Sequence, residues 1–176
     1  MRLINQELYS TIEASIPIAC VDFLPVKRNH LGQIDQVGLI LRQSPFGHVW
    51  CHLGGRIVRG ETVRDAICRH LTGTIRDLSL DISDDPQPAY VFQWLPPDLH
   101  QHLTERAGPQ QIPLGIDPRK HAIGLSYVFD SHGDGTVVIG GEALEFRFYP
   151  VGKLPARLWP GCDELFTRMF ASDYSK

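Results

Sequence analysis

The chain has 176 residues, of which 43% are hydrophobic, and its formal net charge is −3. This length and apolar content predict a single domain over residues 1–176, and the slightly acidic balance argues against a nucleic-acid-binding or membrane-binding surface. No apolar leader follows Met1, and no apolar run approaches the roughly 18 residues of a membrane helix, so we expect a cytoplasmic protein.

The first part of the chain predicts one helix followed by three strands. An amphipathic helix is expected over 4–14, where Ile4, Leu8 and Ile12 recur at helical spacing. The length and composition of the apolar runs that follow favour strands over helices. These runs lie at 16–26, 37–42 and 49–53, with a turn at 44–47.

A glycine-rich segment leads from the third strand into a helix predicted over about 62–73. Thr62 is a good N-cap, and Asp65 three residues later completes a pattern close to a capping box. Gly73 is expected to end the helix as a left-handed cap. Gly54 and Gly55 are expected to form a turn whose backbone can approach a phosphate closely. The apolar face of the helix consists of Val63, Ala66, Ile67 and Leu71.

The second part of the chain predicts mainly strands and one closing helix. The segment 96–118 is interpreted as a long loop with a single helical turn around 99–105. In the strand at 144–149, Leu144, Phe146 and Phe148 are expected on one face. The other predicted elements are strands at 78–82, 89–95, 122–129 and 136–139 and a helix over about 163–171. Together the elements predict a mixed sheet with helices on both faces.

The four cysteines lie far apart in the sequence and include no C-x-x-C pair. In an ordinary soluble chain this pattern is typical of reduced, buried thiols rather than of disulfides or a metal site. They are Cys20, Cys51, Cys68 and Cys162.

The spacing of Gly55, Glu61 and Arg69 resembles the first half of the Nudix box, Gly-x5-Glu-x7-Arg-Glu-U-x-Glu-Glu-x-Gly-U, in which U is aliphatic. The carboxylate positions that hold Mg²⁺ in that family fall on His70, Gly73 and Thr74, so the box is degenerate in its second half. In its residue types, Gly-Gly-Arg, Glu-Thr, Arg and Thr, the segment is most similar to that of the GDP-mannose mannosyl hydrolases, which also carry a reduced box. The resemblance implies an α/β fold, the Nudix-type α/β/α sandwich with a mixed sheet.

The same resemblance implies roles for individual residues. Gly54, Gly55, Glu61 and Arg69 would form the structural part of the box, with Glu61 and Arg69 as an ion pair beneath the glycines. The residues implied to bind substrate are Asp22, Arg42, Arg56, Arg119 and His121. Guanidinium groups suit this task because they form bidentate bonds with diphosphate oxygens. For Asp22 the alternative is an exposed position on a half-covered strand.

The segment 140–148 resembles the late Nudix segment that supplies a metal ligand or a general base. Glu142 aligns with the ligand position, whereas the catalytic His of the mannosyl hydrolases aligns with Ala143. Glu142 or Glu145 is therefore the candidate catalytic base, and the alternative for Glu145 is a strand position facing solvent. A single carboxylate would hold Mg²⁺ or Mn²⁺ only weakly and only together with substrate, and the helix face alone is expected to bind no Mg²⁺.

The sequence therefore predicts a Nudix-like hydrolase acting on a nucleoside diphosphate sugar or a related nucleoside diphosphate derivative. The alternative is a catalytically inactive Nudix module that binds a nucleotide or nucleotide sugar as a sensor or as a partner-binding domain. The expected partner is a small molecule, with neither nucleic acid nor membrane, and a homodimer is left open.

Overall fold

The computed structural model describes residues 5–107 and 112–173. Ile4, the first residue of the first predicted helix, lies outside this part of the chain. In chain order, the described elements are α1 (Gln6–Ser15), β1 (Ile18–Arg28), β2 (Ile34–Ser44), β3 (Gly47–Cys51), β4 (Leu53–Arg56), α2 (Val63–Thr74), β5 (Ile75–Arg76), β6 (Ser79–Leu80), β7 (Tyr90–Leu95), α3 (Pro97–Ala107), β8 (Leu114–Ile116), β9 (Ala122–His132), β10 (Thr136–Val137), β11 (Ala143–Pro150) and α4 (Cys162–Asp173).

The main sheet is organised around β1, an apolar strand buried along most of its length. β1 runs parallel to β9, from Ile18 opposite Ala122 to Val26 opposite Asp130, and antiparallel to β2 and β4. The strand order is β11-β2-β1-β9-β7-β8, with β3, β4 and β6 paired to members of this path. Because strands covered on both faces have nearly continuous apolar sequences, the run IACVDFLPV suits this central position.

The helices pack against the sheet and complete the predicted mixed α/β architecture. α2 contacts β4 and β1, and α4 contacts β7, β8 and β9. No helix in the described part of the chain is both long and apolar enough to cross a membrane.

The helix α2 has the predicted N-terminus but a different end. The Thr62 side chain accepts a bond from the Asp65 backbone, and the Asp65 side chain accepts one from the Thr62 backbone, so the capping box is confirmed. Ile67 is fully buried, as predicted. The prediction that Gly73 is a left-handed cap was wrong, because the helix continues through Thr74 and ends at an extended Ile75.

The predicted turn at Gly54 and Gly55 is instead part of the strand β4, paired antiparallel with β1. Gly54 has φ +135° and Gly55 has φ +155°. A Cβ on Gly54 would collide with the carbonyl oxygen of Val21, and one on Gly55 would lie 2.7 Å from Cε1 of His70. The two glycines therefore allow the backbone of β4 to lie close to the Val21 carbonyl and to the His70 ring. Close approach of this kind is another common reason for glycine in a strand.

Two predictions in the second part of the chain were also wrong. The segment 96–118 contains the 11-residue helix α3 and the strand β8, rather than a single helical turn. α3 carries few apolar side chains, so hydrophobic periodicity did not reveal its length. In β11 the register shifts between Ala143 and Glu145, which turns Leu144 outward to 49% exposure.

The four cysteines are free. Cys20, Cys51 and Cys162 are buried in the core, and Cys68 on α2 is half-buried.

Candidate functional site

A cavity of about 170 Å³ lies against the β1–β4 pair, and we call it the central cavity. Since side chains alternate along a strand, Cys20 and Asp22 of β1 face it together. Its polar and charged lining residues are Asp22, Arg42, His52, His70, Asp117, Arg119, Lys120 and Glu142, and the remainder are Cys20, Cys51, Gly54, Gly55, Trp94, Ala122 and Trp159. Three cations and three carboxylates thus share one small volume.

The first cation, Arg42, reaches the cavity from β2 and is paired with Glu142. Nη1 of Arg42 lies 3.1 Å from Oε2 of Glu142. Nε of Arg42 is buried and has no hydrogen-bond partner among the described residues. A buried N–H without an acceptor is costly, so this guanidinium retains an unmet capacity to bind an anion.

The second cation, Arg119, lies at the rim of the cavity next to Lys120. Its Nε and Nη2 donate to the two carboxylate oxygens of Asp117, each at 2.8 Å. The hydrogen bond that Arg119 donates to Asp117 raises the pKa of Arg119 above its ordinary value, so the guanidinium is always charged. Asp117 itself is buried.

Trp159 lies beside both guanidinium groups. The Arg119 guanidinium carbon lies 5.0 Å from the ring centroid of Trp159, and that of Arg42 lies 5.9 Å from it. The indole is 5% exposed, and its Nε1 donates to the carbonyl oxygen of Ile116 at 2.7 Å. A fixed aromatic face of this kind attracts cations and helps to orient them.

Asp22 is buried at 4% exposure, which excludes the exposed-strand alternative. Nε1 of Trp94 donates to its Oδ2 at 3.0 Å, and Nδ1 of His52 lies 3.6 Å from its Oδ1. His52 and Trp94 also face each other, with ring centroids 5.4 Å apart.

Sequence reasoning missed His52, Trp94 and Trp159. The polar side chain of His52 in an apolar strand pair was the one signal that could have indicated it. The two tryptophans lie in segments that look like ordinary core.

Glu61 and Arg69 form the predicted ion pair, which is confirmed. Nη2 of Arg69 donates to Oε2 of Glu61 at 2.8 Å, and Nε of Arg69 donates to Oε1. Arg69 also donates to the carbonyl oxygen of Arg56 at 3.0 Å, and the Val58 amide donates to Glu61 at 2.9 Å. The hydrogen bond from Arg69 lowers the pKa of Glu61 to about 2. The pair ties the loop after β4 to α2 and lies outside the cavity lining.

The face of α2 where the Nudix family holds Mg²⁺ does not provide suitable ligands in this chain. Nε2 of His70 lies 3.1 Å from the carbonyl oxygen of Arg56, and burial lowers the pKa of this imidazole, so His70 is neutral and its Nε2 donates. Thr74 is buried. Within residues 5–107 and 112–173, no three His, Cys, Asp or Glu side chains are grouped to hold a metal ion. The residues present therefore do not fit Mg²⁺, which prefers several anionic oxygens.

Three of the predicted site residues lie outside the cavity lining. The Arg56 guanidinium carbon lies 4.3 Å from the ring centroid of Tyr9 on α1. Glu145 is paired with Arg147 at 2.7 Å on the half-exposed outer strand β11. Nε2 of His121 is buried without a hydrogen-bond partner among the described residues, and burial lowers the pKa of its ring. The structure thus brings together Asp22, Arg42, Arg119 and Glu142, but not the other three.

A family model described as "Domain of unknown function (DUF4916)" matches residues 2–154, and the chain belongs to this family. None of the curated proteins matches the sequence.

Several solved structures are similar to this fold. A protein described as a possible asymmetric diadenosine tetraphosphate (Ap4A) hydrolase from Jonesia denitrificans DSM 20603 is 28% identical, with a TM-score of 0.69 over 90% of this chain and 95% of that one. The MutT NUDIX hydrolase from Burkholderia pseudomallei is 16% identical, with a TM-score of 0.63 over 88% and 98%. A UDP-X diphosphatase is 16% identical, with a TM-score of 0.56 over 99% and 73%. The fold is therefore of the Nudix hydrolase type.

Proposed function

We propose that this member of the DUF4916 family hydrolyses a nucleoside diphosphate sugar or a related nucleoside diphosphate derivative in the central cavity. The observation that carries this proposal is the convergence of Arg42, Arg119 and Lys120 on one cavity of a Nudix-type fold. The names of the similar structures, an Ap4A hydrolase and a UDP-X diphosphatase, support a nucleotide with linked phosphates as the ligand class.

The diphosphate would bind to the cations of the cavity. Both arginines already have a carboxylate partner, but Nε of Arg42 has none. A diphosphate offers several anionic oxygens and can take the place of Glu142 beside Arg42 while also reaching Nε. Charge-assisted bonds to a guanidinium contribute about 1.5–3 kcal/mol each, so this exchange favours binding.

The chemistry that fits these residues is substitution at the sugar carbon rather than at phosphorus. Water would attack the anomeric carbon, and the bond between this carbon and the diphosphate oxygen would break. The electron pair leaves with the diphosphate, whose growing negative charge the three cations neutralise. The residues do not fit Mg²⁺, so no step is assigned to it. Neither predicted base is well placed for this step. Glu142 lines the cavity, but its carboxylate is in an ion pair with Arg42, and Glu145 lies outside the lining.

The test is a turnover assay on a panel of nucleoside diphosphate sugars in water enriched in ¹⁸O, run in parallel with a metal chelator and with added Mg²⁺. We expect free sugar and nucleoside diphosphate as products, with the label in the hydroxyl group at the anomeric carbon. Label in a phosphate group, or strict dependence on added Mg²⁺, contradicts the proposed reaction. The variant R147A serves as a control, because Arg147 is an exposed arginine of β11 outside the cavity lining.

The second candidate is a module that binds the same ligand without hydrolysing it. The observation in its favour is that each carboxylate of the cavity already has a partner: Asp22 with Trp94, Asp117 with Arg119, and Glu142 with Arg42. Calorimetric binding of a nucleotide sugar to a chain that releases no product would favour this candidate.

A further inference from the structure

One polar group of the central cavity has no part in the phosphate-binding arrangement. His52 lies between β3 and β4, with a side chain that is 15% exposed, and it lines the cavity together with Asp22. Asp22 is held by Nε1 of Trp94. A Cβ at Gly124 of β9 would collide with the Asp22 carboxylate, so this carboxylate occupies space that only a glycine leaves open.

The surroundings of His52 determine which of its two ring nitrogens carries the proton. Nδ1 lies 3.1 Å from the carbonyl oxygen of Leu53 and 3.6 Å from Oδ1 of Asp22. The Leu53 carbonyl oxygen has no proton and can only accept, and the Asp22 carboxylate already acts as an acceptor towards Trp94. Nδ1 must therefore hold the proton of the neutral ring, which leaves the lone pair on Nε2. No hydrogen bond to Nε2 occurs among the described residues.

We propose that His52 is the catalytic base of the hydrolysis and that Asp22 is its positioning residue, an inference that rests on the proposed function. Nε2 of His52 takes a proton from the attacking water as oxygen bonds to the anomeric carbon. The bond from this carbon to the diphosphate oxygen breaks, and its electron pair leaves with the nucleoside diphosphate. The imidazolium is stabilised by the Asp22 carboxylate and later returns its proton to solvent.

The other basic groups of the cavity are less suitable. His70 uses Nε2 to bind the carbonyl oxygen of Arg56, and its ring is closely covered by Gly55. Burial raises the pKa of Cys20 and of Cys51 to about 12, so both remain protonated thiols. Glu142 is in an ion pair with Arg42. Among the described lining residues, His52 combines an Nε2 without a hydrogen bond and an Nδ1 that lies 3.6 Å from a carboxylate oxygen of Asp22.

The kinetic test compares H52Q with H48Q, where His48 is an exposed histidine of the neighbouring strand β3. H52Q should lower kcat about 100-fold or more, because a positioned base typically contributes 10² to 10⁴. Its dissociation constant for the nucleotide sugar should change less than about threefold, since phosphate contacts dominate binding. H48Q should match the wild type. Added imidazole should restore part of the activity of H52A, because the free base can enter the space left in the cavity.

The structural test does not depend on turnover. ¹⁵N nuclear magnetic resonance of the imidazole nitrogens should show His52 protonated on Nδ1, and D22N should weaken this preference. A proton on Nε2 of His52 overturns the proposal.

The kinetic outcomes separate the two proposals. Wild-type turnover with an unaffected H52Q overturns the role of His52 alone. A wild-type chain that hydrolyses no nucleotide sugar overturns the proposed hydrolysis, and the catalytic role of His52 fails with it.

Discussion

Two arginine–carboxylate pairs of this protein have similar chemistry but different surroundings. In the loop pair, Glu61 and Arg69, the carboxylate also accepts from the Val58 amide, and the guanidinium also donates to the carbonyl oxygen of Arg56. In the cavity pair, Nη1 of Arg42 lies 3.1 Å from Oε2 of Glu142, and Nε of Arg42 has no partner among the described residues. The loop pair is a completed network, whereas the cavity pair retains capacity for a ligand.

This difference shows that residue type alone does not separate a structural ion pair from a binding group. What separates them is whether the donors and acceptors are already satisfied by the protein. A satisfied pair is expected to affect stability when it is changed, and an unsatisfied one is expected to affect binding. The predictions below test this division, from the largest expected effect to the smallest.

The largest effect is expected in β4, whose Gly54 lines the cavity and which leads into the loop of Glu61. Replacing Gly54 with Ala places a Cβ against the carbonyl oxygen of Val21 at a backbone φ of +135°, so the backbone must shift. We expect a loss of about 3 kcal/mol in the free energy of unfolding, which combines steric overlap with strain. Denaturant unfolding measures it.

The matched control for this change is G60A in the loop that follows. Gly60 also has a positive φ, +93°, but nothing lies within 4 Å of its added Cβ. Only the conformational strain remains, so we expect about 1 kcal/mol. Equal losses for G54A and G60A would mean that close packing of β4 on β1 is not what requires the glycine.

The second prediction concerns the cavity pair. R42A should weaken binding of a nucleoside diphosphate about 30-fold, equivalent to about 2 kcal/mol, because it removes charge-assisted bonds to the phosphates. Calorimetric titration measures this, with R147A as the control, because Arg147 makes an exposed pair with Glu145. An unchanged dissociation constant in R42A would remove Arg42 from the proposed binding site.

The third prediction concerns the loop pair and its dependence on pH. Arg69 lowers the pKa of Glu61 from an ordinary value of 4.5 to about 2. The folded state therefore gains stability from this carboxylate above pH 4.5 and loses it as the pH falls from 4.5 towards 2. Since Arg69 is partly exposed and the pair is screened by solvent, E61Q should lose only about 1 kcal/mol at neutral pH.

Urea unfolding at several pH values measures this effect. The stability difference between wild type and E61Q should shrink as the pH falls through that window. E164Q is a suitable control, since Glu164 pairs with Arg168 on the exposed surface of α4. A difference between wild type and E61Q that stays constant with pH would show that the charge of Glu61 is not the stabilising feature.

Much of the fold could be predicted because it depends on local patterns. The sequence pattern of the capping box, Thr62 and Asp65, spans one turn of helix. The apolar face around Ile67 spans about two turns. The apolar runs at β1 and β7 also appear directly in the sequence, with bounds that differ by a few residues. At Gly54 the pattern had two meanings and the wrong one was chosen, since glycine serves both turns and close contacts. At Gly73 the expected helix end was wrong, because the helix continues to Thr74.

The candidate site was predictable only in part. The resemblance pointed to Arg42, Arg119 and Glu142, which the structure brings to one cavity. It also pointed to Arg56, which instead lies over Tyr9, and to Glu145, which pairs with Arg147. It gave no indication of His52 or Trp159.

The sequence by itself determined the mixed α/β class through hydrophobic period and caps, which act over short distances along the chain. Its resemblance to the Nudix box, a motif of fixed spacing, implied the fold type and the loop pair. Only the tertiary structure decided which charged residues share a cavity. Asp22 meets Trp94 across 72 positions of sequence, and Arg42 meets Glu142 from a different strand. Such contacts depend on strand order and on the direction of each side chain, and a shift of one residue in register, as at Leu144, reverses that direction.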